Sequence, residues 1–240
     1  MFTLNDVIKL EYNEKTIEKT AINSIKKYRY SMINLMYSRT PVELLDNIFM
    51  GDFAKNCLLD HLRKYVSKTI VDYDEIRNDN FELPDPGWDF MIGDKKIKVE
   101  VKSSIPPNGE NFQSIINNRD IKVTASHDKG KTMINPENLE SILHAQVYFY
   151  AKTYKNGYDS FEMLYKDIEN NIPKLYEIIN VKKYLEPLFF GVSSKKEIIS
   201  YSQTLNPNTW TFSWTDRIYW RSPISKAHTM TELISIADGK

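Results

Sequence analysis

Asp89, Glu100 and Lys102 are the residues whose types and spacing ask for a chemical explanation. Ile97, Val99 and Val101 alternate with Lys98, Glu100 and Lys102, the period-2 pattern of a strand with one apolar and one polar face. Before it, Trp88–Ile92 reads as a second short strand, and Gly93-Asp94 fits a two-residue hairpin turn. That turn sets Ile92 against Lys95, Phe90 against Ile97 and Trp88 against Val99. It also sets Asp89 opposite Lys98 and diagonal to Glu100, roughly 7–8 Å away at the backbone. Two carboxylates so placed can share one divalent cation, and Lys102 lies on the same face. Burying two acids and a lysine on a sheet face is costly unless a metal or an ion pair satisfies them. Such a set suits metal-dependent cleavage of a phosphodiester. Asp85 competes with Asp89 for the ligand role, but Pro84, Pro86 and Gly87 make a poor strand ladder around it, which favours Asp89.

The Pro84-Asp85 pair, Asp89, and then Glu100-Val101-Lys102-Ser103-Ser104 at the end of a hairpin resemble the PD-(D/E)XK nuclease superfamily. Within it the chain is most similar to a type II restriction endonuclease. The resemblance implies an α/β fold with a restriction-endonuclease-like core, a central mixed β-sheet flanked by helices, and added N-terminal helices. It implies Mg²⁺ bound by Asp89, Glu100 and the Val101 backbone carbonyl, with Asp85 as the alternative aspartate. In many members an acid on the helix before the hairpin assists the metal. Asp52 or Glu43 fits that role, and helix capping accounts for Asp52 equally well. Lys102 would orient the attacking water, leaving 5′-phosphate and 3′-hydroxyl ends. The implied partner is double-stranded DNA cut at a specific sequence, as in a restriction-modification system. Two strands need two sites, so a homodimer is expected. A DNA repair or junction-resolving nuclease of the same fold is the alternative, and a non-catalytic DNA-binding module is a second.

Composition sets wide bounds. The 240 residues carry 27% charged and 41% hydrophobic residues, an ordinary mix for a folded domain with a sizeable core. Lys plus Arg and Asp plus Glu both number 32, so no global charge announces nucleic acid. The local balance is uneven. Residues 72–96 are acidic (Asp72, Asp74, Glu75, Asp79, Glu82, Asp85, Asp89, Asp94 against Arg77, Lys95, Lys96), whereas the chain from 181 onward is basic. A single cysteine, Cys57, excludes a disulfide framework and reads as a buried thiol in a helix. No signal peptide and no apolar run near 18 residues is visible, so a cytoplasmic protein without a membrane partner is expected. Glycine-rich phosphate loops and a nucleophile elbow are absent, and the four histidines, His61, His127, His144 and His228, lie far apart in sequence.

The elements that must position the three residues follow from pattern. The chain reads as one nuclease domain over 1–240: a helical elaboration at 1–50, a catalytic core at 51–155, and the rest of the core with DNA-contacting elements at 156–240. Ile17, Ala21, Ile25 and Tyr28 have helical spacing. Pro41 opens a helix over Val42–Asn47, and a core helix runs from Gly51 to about Val66, with His61 on its surface. Lys68–Tyr73 reads as a strand and Asp74–Leu83 as an acidic loop. Residues 103–135 look irregular and carry Arg119, Lys122, Lys129 and Lys131 among amide and hydroxyl residues, the types that read bases and phosphates. A helix is expected over Pro136–His144, a strand over Gln146–Tyr154, helix over most of 159–186, and a buried strand over Leu188–Val192 with a helix starting after Ser194. Thr209–Trp220 reads as an aromatic hairpin, with Arg217 and Arg221 beside it as phosphate contacts, and a short helix closes the tail at Ser225–Ala237.

Overall fold

Leu143–Phe149 is buried along its whole length, and the architecture is built outward from it. The computed structural model describes residues 1–31, 41–106, 110–149, 186–213 and 215–239. The expected helix at 159–186 lies, up to residue 185, outside the described residues, as do residues 150–154 of the expected strand. The fold is α/β, with a six-stranded mixed sheet flanked by helices. Its strands are β1 (Ile8–Lys9), β2 (Ile70–Asp72), β3 (Phe90–Ile92), β4 (Ile97–Ser104), β6 (Leu143–Phe149) and β7 (Pro187–Ser194), in the order β1-β7-β6-β4-β3-β2. Only β4 and β6 run parallel; the other neighbours are antiparallel. A second, three-stranded antiparallel sheet has the order β5-β9-β8, from β5 (Val123–Ser126), β8 (Thr209–Thr211) and β9 (Ile218–Trp220).

Two long helices pack against each other, and the second packs on the main sheet. In α1 (Glu14–Ser31), Ala21, Ile25 and Tyr28 are buried; in α2 (Pro41–Tyr65), Phe49, Phe53, Cys57, Leu58 and Leu62 are buried. Phe53 stacks on Phe149 of β6 with ring centroids 6.0 Å apart, so α2 is tied to the centre of the sheet. The two helices expected around Gly51 are one. Gly51 adds no turn because flanking apolar residues at helical spacing carry the helix through it. His61 is buried rather than on the surface, and its Nδ1 accepts the Glu11 N–H.

The other helices among the described residues are short. They are α3 (Tyr73–Ile76), α4 (Phe112–Asn118), α5 (Lys195–Thr204) and α6 (Met230–Asp238). Ser194 with Glu197 and Thr229 with Glu232 form capping boxes that start α5 and α6. Gly191 in β7 has φ +105, and a Cβ there would lie 2.5 Å from that of Ala227, so only glycine lets the tail pack on this strand.

Three expectations are corrected. Pro136 with its Asn135 cap opens only a 3₁₀ turn, Pro136–Asn138, and β6 begins at Leu143, not Gln146. The segment 103–135 is not irregular: β4 continues to Ser104, and α4 and β5 follow. The hairpin turn spans four residues, Gly93 to Lys96, closed by Lys96 N–H to Gly93 O, so Ile92 faces Ile97 and Phe90 faces Val99. The pairing is displaced by two residues from the expected one. An even displacement keeps every side chain on its face, so the polar face survives with new neighbours.

Candidate active site

Continuing the β3–β4 register brings Asp89 level with Glu100 rather than diagonal to it. The Asp89 N–H donates to Val99 O at 2.8 Å, and its Oδ2 accepts the Val101 N–H at 2.6 Å. One carboxylate oxygen is thereby fixed by the strand that carries Glu100. Lys102 Nζ contacts Glu100 Oε1, and His144 Nδ1 lies 3.0 Å from Glu100 Oε2. His144 comes from β6, where parallel pairing sets it directly beside Glu100. The three residues singled out from sequence thus meet at one cleft of about 510 Å³, whose lining includes Asp85, His127, His144 and Arg217.

The charges are unequally compensated. Burial would raise the Glu100 carboxyl, but Lys102 and His144 outweigh it and hold the pKa down to about 2. Burial opposes the charged form of Lys102, yet Glu100 and Asp89 raise its pKa above the ordinary value, so it stays an ammonium. Among the described residues no cation contacts Asp89. Burial pushes its pKa up to about 7, against the Val101 hydrogen bond and the more distant charges of Lys102 and Lys55. A buried carboxylate beside a second acid, with the neighbouring lysine spent on that acid, is a donor set that a divalent cation would complete. Among the described residues no three His, Cys, Asp or Glu side chains gather as a metal site. Asp89 and Glu100 are the two carboxylates at this cleft that a divalent cation could bridge.

His144 is the residue that sequence reading missed. Its side chain is 1% exposed, and Nε2 is buried with no hydrogen-bond partner among the described residues. Distance in sequence concealed it. The usable signal was the alternation of His144 and Gln146 with apolar residues in Leu143–Phe149, which places both polar groups on one strand face. Gln146 is buried too, donating to Lys102 O and Ser104 Oγ at 3.1 Å and accepting the Lys122 N–H at 3.2 Å.

The other expected site residues separate. Asp85 lines the cleft but is bound to Arg77 at 2.7 Å. Asp52 is corrected on both counts: it lies inside α2 rather than at a cap, and Lys27 holds it at 2.8 Å away from the cleft lining. It belongs to a buried network in which Lys55 binds Asp72 (2.8 Å) and Asp74 (2.6 Å). Glu43 is exposed in the first turn of α2.

Of the basic residues, Arg217 lies at the cleft, close enough for its charge to oppose that of Lys102. Lys129 pairs with Asp216 at 2.8 Å, and Lys131 is exposed in the same turn. Arg119 pairs with Glu110 (2.9 Å) and Arg221 with Asp120 (2.8 Å); with Lys122 they line a second cavity. Among the described residues no helix is long and apolar enough to cross a membrane. The sequence matches no family model, and searches of curated proteins and of solved structures find no match.

Proposed function

We propose that the chain is a Mg²⁺-dependent endodeoxyribonuclease that hydrolyses double-stranded DNA at a specific sequence, in the manner of a type II restriction endonuclease. The observation that carries the reading is the meeting of Asp89, Glu100 and Lys102 in one cleft, with no cation on Asp89 among the described residues. A six-stranded mixed sheet holding these residues on the β3–β4 hairpin supports a restriction-endonuclease-like core.

Asp89, Glu100 and the Val101 carbonyl would hold the divalent ion, which would supply positive charge to the scissile phosphate and the leaving 3′ oxygen. Glu100 is held in orientation by His144 from the adjacent strand. Asp89 is fixed through Oδ2 by the Val101 N–H, so its other oxygen would be the one to serve as ligand. Lys102 stays protonated beside Glu100 and acts as a hydrogen-bond donor that orients the attacking water, not as a base. Arg217 at the cleft takes a phosphate oxygen.

Incubation with a mixed duplex pool and Mg²⁺, followed by mapping of the ends, tests the reading. Cuts with 5′-phosphate ends at one sequence are expected. Nicks or cuts at branched junctions alone would move the chain to the repair class. Binding without cleavage under any divalent ion would make it a DNA-binding module.

A further inference from the structure

Beyond the end of β4 lies a second cavity of about 630 Å³ that the cleavage chemistry does not use. Its walls combine ring surfaces from Tyr148, Trp210 and Phe212 with the cationic groups of Arg119, Lys122 and Arg221. Asp120 is the one carboxylate among the described lining residues, against three cationic groups, of which Arg119 is paired with Glu110 and Arg221 with Asp120. Trp210 stacks on Tyr219 with centroids 4.7 Å apart, which fixes the indole, yet its Nε1 is buried with no acceptor among the described residues. The Lys122 ammonium lies 5.6 Å from the Phe212 ring centroid and donates to Ser103 O.

Rings and cationic groups lining one space match a planar ring with an attached anion. That is the chemistry of a nucleotide. The position also fits. Ser104, in the cavity wall, lies two residues beyond Lys102 on the same face of β4, roughly 7 Å along the strand. Gln146 bonds Lys102 O, Ser104 Oγ and the Lys122 N–H together, so the cavity is held at a fixed distance from the cleft.

We propose that this cavity is a nucleotide pocket: the base sits among Trp210, Phe212 and Tyr148, and the phosphate is met by Lys122 and Arg221. Resting on the nuclease reading, the natural source is one unstacked nucleotide of the bound DNA near the cut. A free nucleotide has the same chemistry, and the test separates the two.

Calorimetric titration of the metal-free protein in EDTA with each deoxynucleoside monophosphate, and with deoxyribose 5-phosphate as control, reads the pocket alone. Saturable nucleotide binding is expected, weakened at least tenfold by Trp210→Leu and by Lys122→Ala. It should be unchanged by Lys102→Ala, which empties the cleft of its ammonium. Circular dichroism melts confirm that each variant folds. Duplexes carrying 2-aminopurine at successive positions then read the source. A fluorescence rise at one position, lost in Trp210→Leu, identifies a base taken from DNA; nucleotide binding with no rise at any position overturns that source. No saturable binding, equal binding of deoxyribose 5-phosphate, or wild-type affinity in both pocket variants overturns the pocket itself. Cleavage without nucleotide binding sinks the pocket alone, and nucleotide binding without cleavage sinks the nuclease reading alone.

Discussion

His144 and Glu100 stand side by side on the parallel strands β6 and β4, with His144 Nδ1 3.0 Å from Glu100 Oε2. The imidazole fixes a carboxylate that would otherwise pivot toward Lys102 alone. Partners that orient a metal-binding carboxylate typically govern about 10–100-fold in metal affinity. His144→Ala is expected to weaken Mg²⁺ binding by that order in calorimetry without DNA, while His144→Asn, which keeps a polar donor, loses less. Equal affinity in wild type and His144→Ala would remove the positioning role.

Glu100→Ala, Lys102→Ala and Asp89→Ala should each abolish cleavage while duplex binding persists. Asp85→Ala should cost far less, because its carboxylate is engaged by Arg77. Single-turnover rates with saturating enzyme decide. Wild-type cutting by Glu100→Ala would end the nuclease reading, and a larger loss in Asp85→Ala than in Asp89→Ala would exchange the two aspartates.

Asp89 and Glu100 act oppositely on stability as pH changes. The folded pKa of Asp89, about 7, lies above its ordinary 3.8, so the folded state holds the proton more tightly. Stability therefore falls as pH rises from about 4 to about 7. Glu100, held at about 2, contributes stability above its ordinary 4.5 that is lost as pH falls toward 2. At about 1.4 kcal/mol per pKa unit the Asp89 cost reaches at most about 4 kcal/mol. In EDTA the wild-type melting temperature should drop between pH 5 and pH 8 more than that of Asp89→Asn, and Mg²⁺ should recover it in the wild type only. Parallel curves for the two proteins would contradict the assignment.

Arg217 and Arg119 should behave differently on DNA. Arg217 is exposed at the cleft, so Arg217→Ala is expected to weaken binding evenly across sequences and reduce the salt slope by about one. Arg119 is paired with Glu110 and lines the second cavity, so Arg119→Ala should change preference at one base pair, by roughly 1–3 kcal/mol. Affinities for single-base variants at two salt concentrations distinguish the two patterns.

One chain carries one Asp89–Glu100–Lys102 set, so under the nuclease reading two chains are expected to act on the two strands. Sedimentation of the DNA complex should give two chains per duplex. One chain per duplex with nicked product would exclude the homodimer.

The hairpin and its polar face were legible because alternation depends only on local sequence. Its register was not, since Gly93-Asp94 resembles a two-residue turn and nothing in Lys96 announces its φ of +50. The Ser194 cap and the strand before it were legible for the same local reason. β6 was misplaced because Asn135-Pro136 is a genuine helix start that stops after one turn. Its polar residues His144 and Gln146 acquire meaning only beside β4. The partners that occupy Asp52, Arg119 and Arg221 are likewise tertiary, and no spacing rule reveals them.

The parallel pairing of β4 with β6 also bears on the order of events in synthesis. Parallel neighbours cannot be joined by a tight turn, and here α4 and β5 intervene between Ser104 and Leu143. A chain emerging from the ribosome holds Asp89, Glu100 and Lys102 on a local hairpin well before His144 exists. Until β6 is made, β4 is an edge strand whose outer backbone groups have no partner and whose Glu100 has no imidazole beside it. The residues of the site are thus present early, and their arrangement is finished late, when a distant strand docks.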